Sequence, residues 1–254
     1  MRTLYQFPLS HFCEKARWML DHKELNYVAH NLIPGVHRAF ARLKTGQNRL
    51  PILRDQDRWI ADSTQIALYL DDTYPEHRLL YAEGHFRNKA LEINEITLEL
   101  GRHVRRWMLS QPLTSDHESL DILFGEQGYL RQFEKFSKPL LKAMVAKGYA
   151  LNEETVAESK QHIEVAVQQL NQMLVSQGGH YFVGNRLGLA DIAVCSMLAP
   201  LLAIPGTPWE KENFESLSEE YRDYQQYLNQ LPLGEYICRT YRAERNARVD
   251  WRGV

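Results

Sequence analysis

A change of rhythm at Tyr74-Pro75 divides this chain into two unlike parts. Before it, β-type runs alternate with helical stretches. Thr3-Leu4-Tyr5-Gln6-Phe7 reads as a strand, and Phe12 to Lys23 as a helix with Phe12, Ala16, Met19 and Leu20 on one face. Leu25 to His30 alternates apolar and polar residues, as a half-buried strand does, and a short helix follows from Val36 to Lys44. Pro51-Ile52-Leu53 and Arg58-Trp59-Ile60 flank the polar turn Arg54-Asp55-Gln56-Asp57, which is a hairpin pattern. Asp62 to Thr73 closes the series as a helix with Ile66 and Leu70 inward. The order β-α-β-α-β-β-α predicts one small α/β unit.

Beyond Pro75 the period is helical. Ile93, Ile96, Leu100, Val104 and Trp107 mark a long amphipathic helix, and Ile163, Val167, Leu170 and Leu174 another. Between them Gly125, Gly128 and Pro139 interrupt the pattern, so one broken helix or two short ones both fit. Ala190 to Ala203 is apolar almost all round, the mark of a helix enclosed by others. Leu217 to Leu228 and the strongly charged Tyr236 to Arg248 are two further candidates. The expected division is a unit over 1–78 and a helical one over 84–254.

Composition narrows the class. A chain of 254 residues is long enough for two cores, and 44% hydrophobic residues exclude disorder. A net charge of −2 leaves no basic footprint for nucleic acid. Cys13, Cys195 and Cys238 are odd in number and far apart, which suits a reducing compartment rather than a disulfide framework. The opening lacks the apolar stretch of a secretory signal. The uncharged run from Ile192 to Trp209 is broken by Pro200, Pro205, Gly206 and Pro208, which leaves roughly 13 helical residues, too few to span a bilayer. A cytoplasmic protein without membrane association is expected.

Three local patterns carry a resemblance. Ser10-His11-Phe12-Cys13-Glu14-Lys15-Ala16-Arg17 resembles the Ser-Pro-Phe-Cys-x-Lys-x-Arg motif of the cytosolic glutathione S-transferases. Leu50-Pro51-Ile52-Leu53 resembles the segment with the cis-proline of thioredoxin-like domains, and Ala61-Asp62-Ser63-Thr64-Gln65-Ile66 the acidic-Ser turn that follows it. Gly188-Leu189-Ala190-Asp191-Ile192 resembles the start of the buried helix in that family's second domain. The resemblance implies an α/β thioredoxin-like N-terminal domain followed by an all-α helical-bundle C-terminal domain. It also implies glutathione as co-substrate, a small electrophile as second substrate, and a homodimer.

The site residues follow from the same motifs. Ser10 stands where a strand ends and a helix begins, so it can cap that helix whether or not catalysis follows. The positive helix end also favours an anion, and a hydroxyl donating to a glutathione sulfur stabilises the thiolate, the reactive form. The resemblance gives Ser10 that role. In glutaredoxin-like relatives the position of Cys13 holds a second cysteine, so Cys13 is a candidate glutathionyl acceptor, although a buried apolar role is preferred. A cis bond at Pro51 would free the backbone N–H and C=O of Leu50 to pair with the cysteinyl part of glutathione. Ser63 would hold the γ-glutamyl carboxylate at a helix N-terminus and Asp62 the amino group, while Asp62 and Gln65 also read as a capping box. For the glycine carboxylate, His37, Arg38, Lys44, Gln47 and Arg49 are all available.

Other residues receive blander readings. His11 replaces the family's proline and is expected at the surface. Asp191 is expected to accept backbone N–H groups at its helix start, with Gly188 in place of the usual Ser or Thr. Arg102 to Trp107 reads as a solvated basic face with Trp107 inward. Ten histidines show no metal-ligand spacing, so no metal is implied. Besides the transferase, two alternatives stand: a non-enzymatic binding or assembly module, and a thiol reductase working through Cys13.

Overall fold

The computed structural model describes residues 1–33, 35–111, 151–210 and 218–254. The first part is built on four strands, β1 (Arg2–Gln6), β2 (Tyr27–Asn31), β3 (Ile52–Asp55) and β4 (Arg58–Ala61). They lie in the order β2-β1-β3-β4, with β2 parallel to β1 and the other neighbours antiparallel. The parallel pair needs a crossover, which α1 (His11–His22) supplies. Helix α2 (Val36–Thr45) joins β2 to β3, and α3 (Ser63–Thr73) follows β4. This is the expected element order.

The hairpin turn is tighter than the sequence suggests. Arg54 and Asp55 remain in β3, and only Gln56 and Asp57 turn. Asp55 is pinned by Arg2 Nε at 3.2 Å and by the hydroxyls of Tyr69 and Tyr74 at 3.2 and 2.5 Å. Those partners are remote in sequence, so no local pattern reveals them.

The described helices of the second part are α4 (His85–Ser110), α5 (Glu153–Ser176), α6 (Leu189–Leu202), α7 (Glu219–Gln230) and α8 (Pro232–Glu244). Gly125, Gly128, Pro139 and Leu217 lie outside the described residues. Helix α6 is buried along its whole length, as an apolar periphery requires. Among the described residues no helix is long and apolar enough to cross a membrane. Helix α8 begins earlier than expected, at Pro232, because proline suits the first helical position. It ends at Glu244 rather than Arg248, and the chain then turns back to the first part. There the Val254 N–H donates to the Ala29 carbonyl and the Asn31 N–H to the Val254 carbonyl, both at 2.8 Å. The tail therefore satisfies backbone groups on the free edge of β2.

One hydrophobic core runs through both parts, from Leu4 and Trp18 to Leu198 and Ile237. Helix α1 lies in its middle, so Cys13 to Asp21 are buried without a break. The expected single apolar face is therefore incomplete: Glu14, Lys15, Arg17 and Asp21 are interior too. Most of these charges are neutralised in place. Arg17 pairs with Glu14, and Arg245 with Glu14 and Asp21, each at 2.7 Å.

Candidate functional site

Strand register brings three chain segments to one end of the sheet. Tyr5 is opposite Ile52 and Ile52 opposite Ala61, both in antiparallel pairs. The end of β1, the start of β3 and the end of β4 therefore coincide. From that end emerge Ser10 ahead of α1, Leu50-Pro51 ahead of β3, and Asp62-Ser63 at the start of α3.

Ser10 caps α1 as expected, its Oγ accepting the Cys13 N–H at 3.4 Å. That bond uses a lone pair and leaves the hydroxyl proton for another acceptor. The Leu50-Pro51 bond is cis. The Pro51 carbonyl accepts the Asp62 N–H at 3.3 Å, while Leu50 has no backbone hydrogen bond among the described residues. Asp62 has φ 74 and ψ 134, a region non-glycine residues seldom enter. Its Oδ1 accepts the N–H groups of Thr64 at 2.8 Å and Gln65 at 3.4 Å. The reciprocal half of the expected capping box is replaced, because the Asp62 N–H goes to Pro51 and Gln65 points to solvent. Ser63 is buried, and its hydroxyl has no partner among the described residues.

Cys13 is wholly inside, and burial pushes its thiol above the usual value despite the nearby Ser10 hydroxyl. His11 corrects the expectation of a surface residue. It is 4% exposed, and its Nε2 lies 2.9 Å from the Gly101 carbonyl of α4. A carbonyl only accepts, so Nε2 carries the proton. Burial first, and then the Arg105 guanidinium, push this imidazole down to about 3, so it is neutral. Lys15 is also fully buried and donates to Asn94 Oδ1 on α4, and Asn94 Nδ2 donates to Thr64 Oγ1 at 3.0 Å. The start of α1, the start of α3 and the middle of α4 are thereby joined.

The candidates for a glycine carboxylate differ in their surroundings. The His37 ring accepts the Gly35 N–H at 3.1 Å and meets Phe7 edge-on at 4.6 Å. Arg38, Lys44, Gln47 and Arg49 are exposed. On α4, Trp107 faces inward as expected, but the basic face is only partly solvated. The Arg105 guanidinium lies 5.5 Å from the centre of the Phe12 ring, and His103 and Arg106 both meet Ser159 of α5, at 3.1 and 3.0 Å.

Asp191 accepts the N–H groups of Phe182 at 2.8 Å and Gly188 at 3.0 Å, and the Tyr236 hydroxyl at 2.5 Å. Burial nevertheless raises its carboxyl to about 6. Glycine at 188 has a steric cause: a Cβ there would stand 2.9 Å from the Leu79 carbonyl oxygen. Among the described residues no group of three or more His, Cys, Asp or Glu side chains could hold a metal ion.

Lys15, Asn94, His11 and Gly101 are the residues that sequence reasoning left unassigned or misplaced. Lys15 and His11 lie inside a motif, yet only their tertiary partners distinguish interior from surface. Gly101, a glycine within a long helical run, carried a usable signal of close packing.

The chain matches family models for the N-terminal domain of glutathione S-transferase over residues 4–78 and for the C-terminal domain over residues 129–230. It is 26% identical over 230 residues to glutathione S-transferase 1 of Dianthus caryophyllus, covering 88% of each chain. Solved structures of similar fold include a glutathione S-transferase of Methylobacterium radiotolerans in complex with glutathione sulfonate, at a TM-score of 0.57 and 15% identity over 93% of this chain and 94% of that one. Another is the Methylobacillus flagellatus enzyme with GSH bound, at 0.57 and 13% over 93% and 98%.

Proposed function

Because the chain belongs to the glutathione S-transferase family, we propose that it binds glutathione at this end of the sheet and activates its thiol for attack on a small electrophile. The observation that carries the reading is the buried hydroxyl of Ser63 at the start of α3, without a partner among the described residues and at the same sheet end as the Ser10 hydroxyl. A helix N-terminus with an unsatisfied hydroxyl suits a carboxylate, here the γ-glutamyl one. Asp62 spends Oδ1 on its own helix and keeps Oδ2 for the neighbouring amino group. The cysteinyl backbone pairs with the open backbone of Leu50 beside Pro51. That alignment directs the sulfur toward Ser10.

The Ser10 hydroxyl then donates a hydrogen bond to the sulfur, and the positive end of α1 adds to the field that favours the thiolate. The electrophile lodges against the helical domain beside Phe12 and Arg105, whose guanidinium lies 5.5 Å from the centre of the Phe12 ring. Attack by a bound thiolate on a bound electrophile needs proximity and charge stabilisation, with no further group. A homodimer in the cytoplasm completes the proposal, its subunits meeting first domain to second; light scattering tests the oligomer.

Conjugation kinetics with Ser10→Ala and Cys13→Ser test the assignment. A hydrogen bond to a charged acceptor is worth about 1.5–3 kcal/mol, so kcat/KM should fall roughly 10- to 100-fold in the Ser10 variant. Cys13→Ser should keep most activity, because a thiol held protonated by burial is a poor nucleophile. Loss confined to the cysteine variant would instead favour the thiol reductase. Absence of glutathione binding in a calorimetric titration at millimolar ligand would favour the binding module.

A further inference from the structure

We propose that Lys15 is a positioning residue for glutathione, acting through Asn94 and Thr64 on the Asp62–Ser63 turn; this rests on the reading of the site given above. The Lys15 ammonium donates to Asn94 Oδ1, which fixes the orientation of the amide. With the oxygen held toward Lys15, Asn94 Nδ2 faces Thr64 Oγ1 at 3.0 Å. Thr64 in turn gives its backbone N–H to Asp62 Oδ1 at 2.8 Å. Four side chains from three helices thus form one chain of contacts, and it ends at a turn whose φ of 74 needs external support.

A lysine is an unfavourable choice for that place unless its charge is used. A fully buried ammonium is destabilising, and an apolar residue of similar volume would fill the space without that penalty. The charges that act on Lys15 are negative: Asp62, which caps α3, and Glu95 on α4. Its neighbours on α1, Glu14 and Arg17, are engaged with each other and with Arg245. The positive charge therefore stands behind the turn that receives the γ-glutamyl carboxylate. Burial lowers Lys15 to about 8, against the pull of Asp62 and Glu95. Loss of its proton leaves an amine that still bonds Asn94 but no longer attracts an anion.

Steady-state kinetics of the full chain with varied glutathione test this. Lys15→Met should raise KM for glutathione about tenfold, the size of one charge-assisted contact. It should leave kcat within about twofold, since the contact acts on binding rather than on the thiolate. In the wild type KM should climb between about pH 7 and 9 as the ammonium titrates, and that component should vanish in the variant. An unchanged KM, a fall in kcat alone, or an undiminished climb in the variant overturns the proposal. If Lys15→Met does not fold, Thr64→Val removes the acceptor for Asn94 without disturbing the buried charge, and an unchanged KM there overturns it equally. Calorimetry separates the two levels. A wild type that binds no glutathione at millimolar ligand removes the reading of the whole site, whereas binding that is indifferent to both substitutions removes only the role of Lys15.

Discussion

Ser10, His11 and Lys15 lie within two turns of one helix and meet three different environments. Ser10 reaches the open end of the sheet, His11 the backbone of α4, and Lys15 an amide behind α3. His11 leads to a pH prediction. The folded imidazole has its pKa lowered to about 3 from 6.5, so the unfolded chain takes up a proton that the folded chain refuses. Stability is thus complete above about pH 6.5 and declines as pH falls through the window toward 3. His11→Gln keeps a donor for the Gly101 carbonyl and abolishes the titration. In urea melts the wild type should lose up to about 1.4 kcal/mol per pH unit relative to this variant below pH 6.5. Glu14 behaves alike for a different reason. Burial opposes its charge, yet Arg245 and Arg17 outweigh burial and hold the carboxyl at about 2. Arg245→Met leaves Glu14 and Asp21 without that partner, and thermal melting should report a loss of about 3–5 kcal/mol.

Among the elements, α4 is the one on which the junction depends. Glycine ordinarily weakens a helix interior by about 1 kcal/mol relative to alanine. At position 101 it permits contact instead. An added Cβ would stand 2.5 Å from Met197 Sδ of α6, 2.9 Å from Phe12 Cζ and 3.3 Å from His11 Nε2 of α1. Gly101→Ala should therefore lower stability by about 1–3 kcal/mol rather than raise it, read as a lower urea midpoint. The same crowding explains how α1 is held: sheet on one side, α4 and α6 on the other. A polar residue on such a helix must find its partner across the junction, as His11 and Lys15 do.

For the molecule as a whole, the returning tail closes the chain on itself. Besides the two backbone bonds to β2, Gln6 Nε2 donates to the Trp251 carbonyl at 3.0 Å and Asn31 Nδ2 to the Arg252 carbonyl at 2.5 Å. Truncation after Arg248 would expose the Asn31 amide. Its hydrogen exchange should quicken by at least about tenfold relative to the full chain, with slower change at β1 and β3 amides in the sheet interior. Gln6 also accepts from Arg17, so the tail, β1 and the Glu14–Arg245 network are continuous, and the truncated chain should melt at a lower temperature.

Periodicity alone delivered the order of strands and helices, the enclosure of α6 and the change at Tyr74-Pro75, because those depend on residue spacing within an element. The motifs marked Ser10, Pro51, Asp62 and Ser63 for the same reason: a helix start and a proline turn are local. The boundaries that moved did so where remote groups intervened, as when Arg2, Tyr69 and Tyr74 kept Asp55 within β3. The sequence could not say that His11 is interior, that Lys15 stands behind the turn at Asp62, or that the tail lies along β2. Each of those depends on which surface covers which, and burial, with the partner a buried polar group must then find, is settled only when distant segments pack.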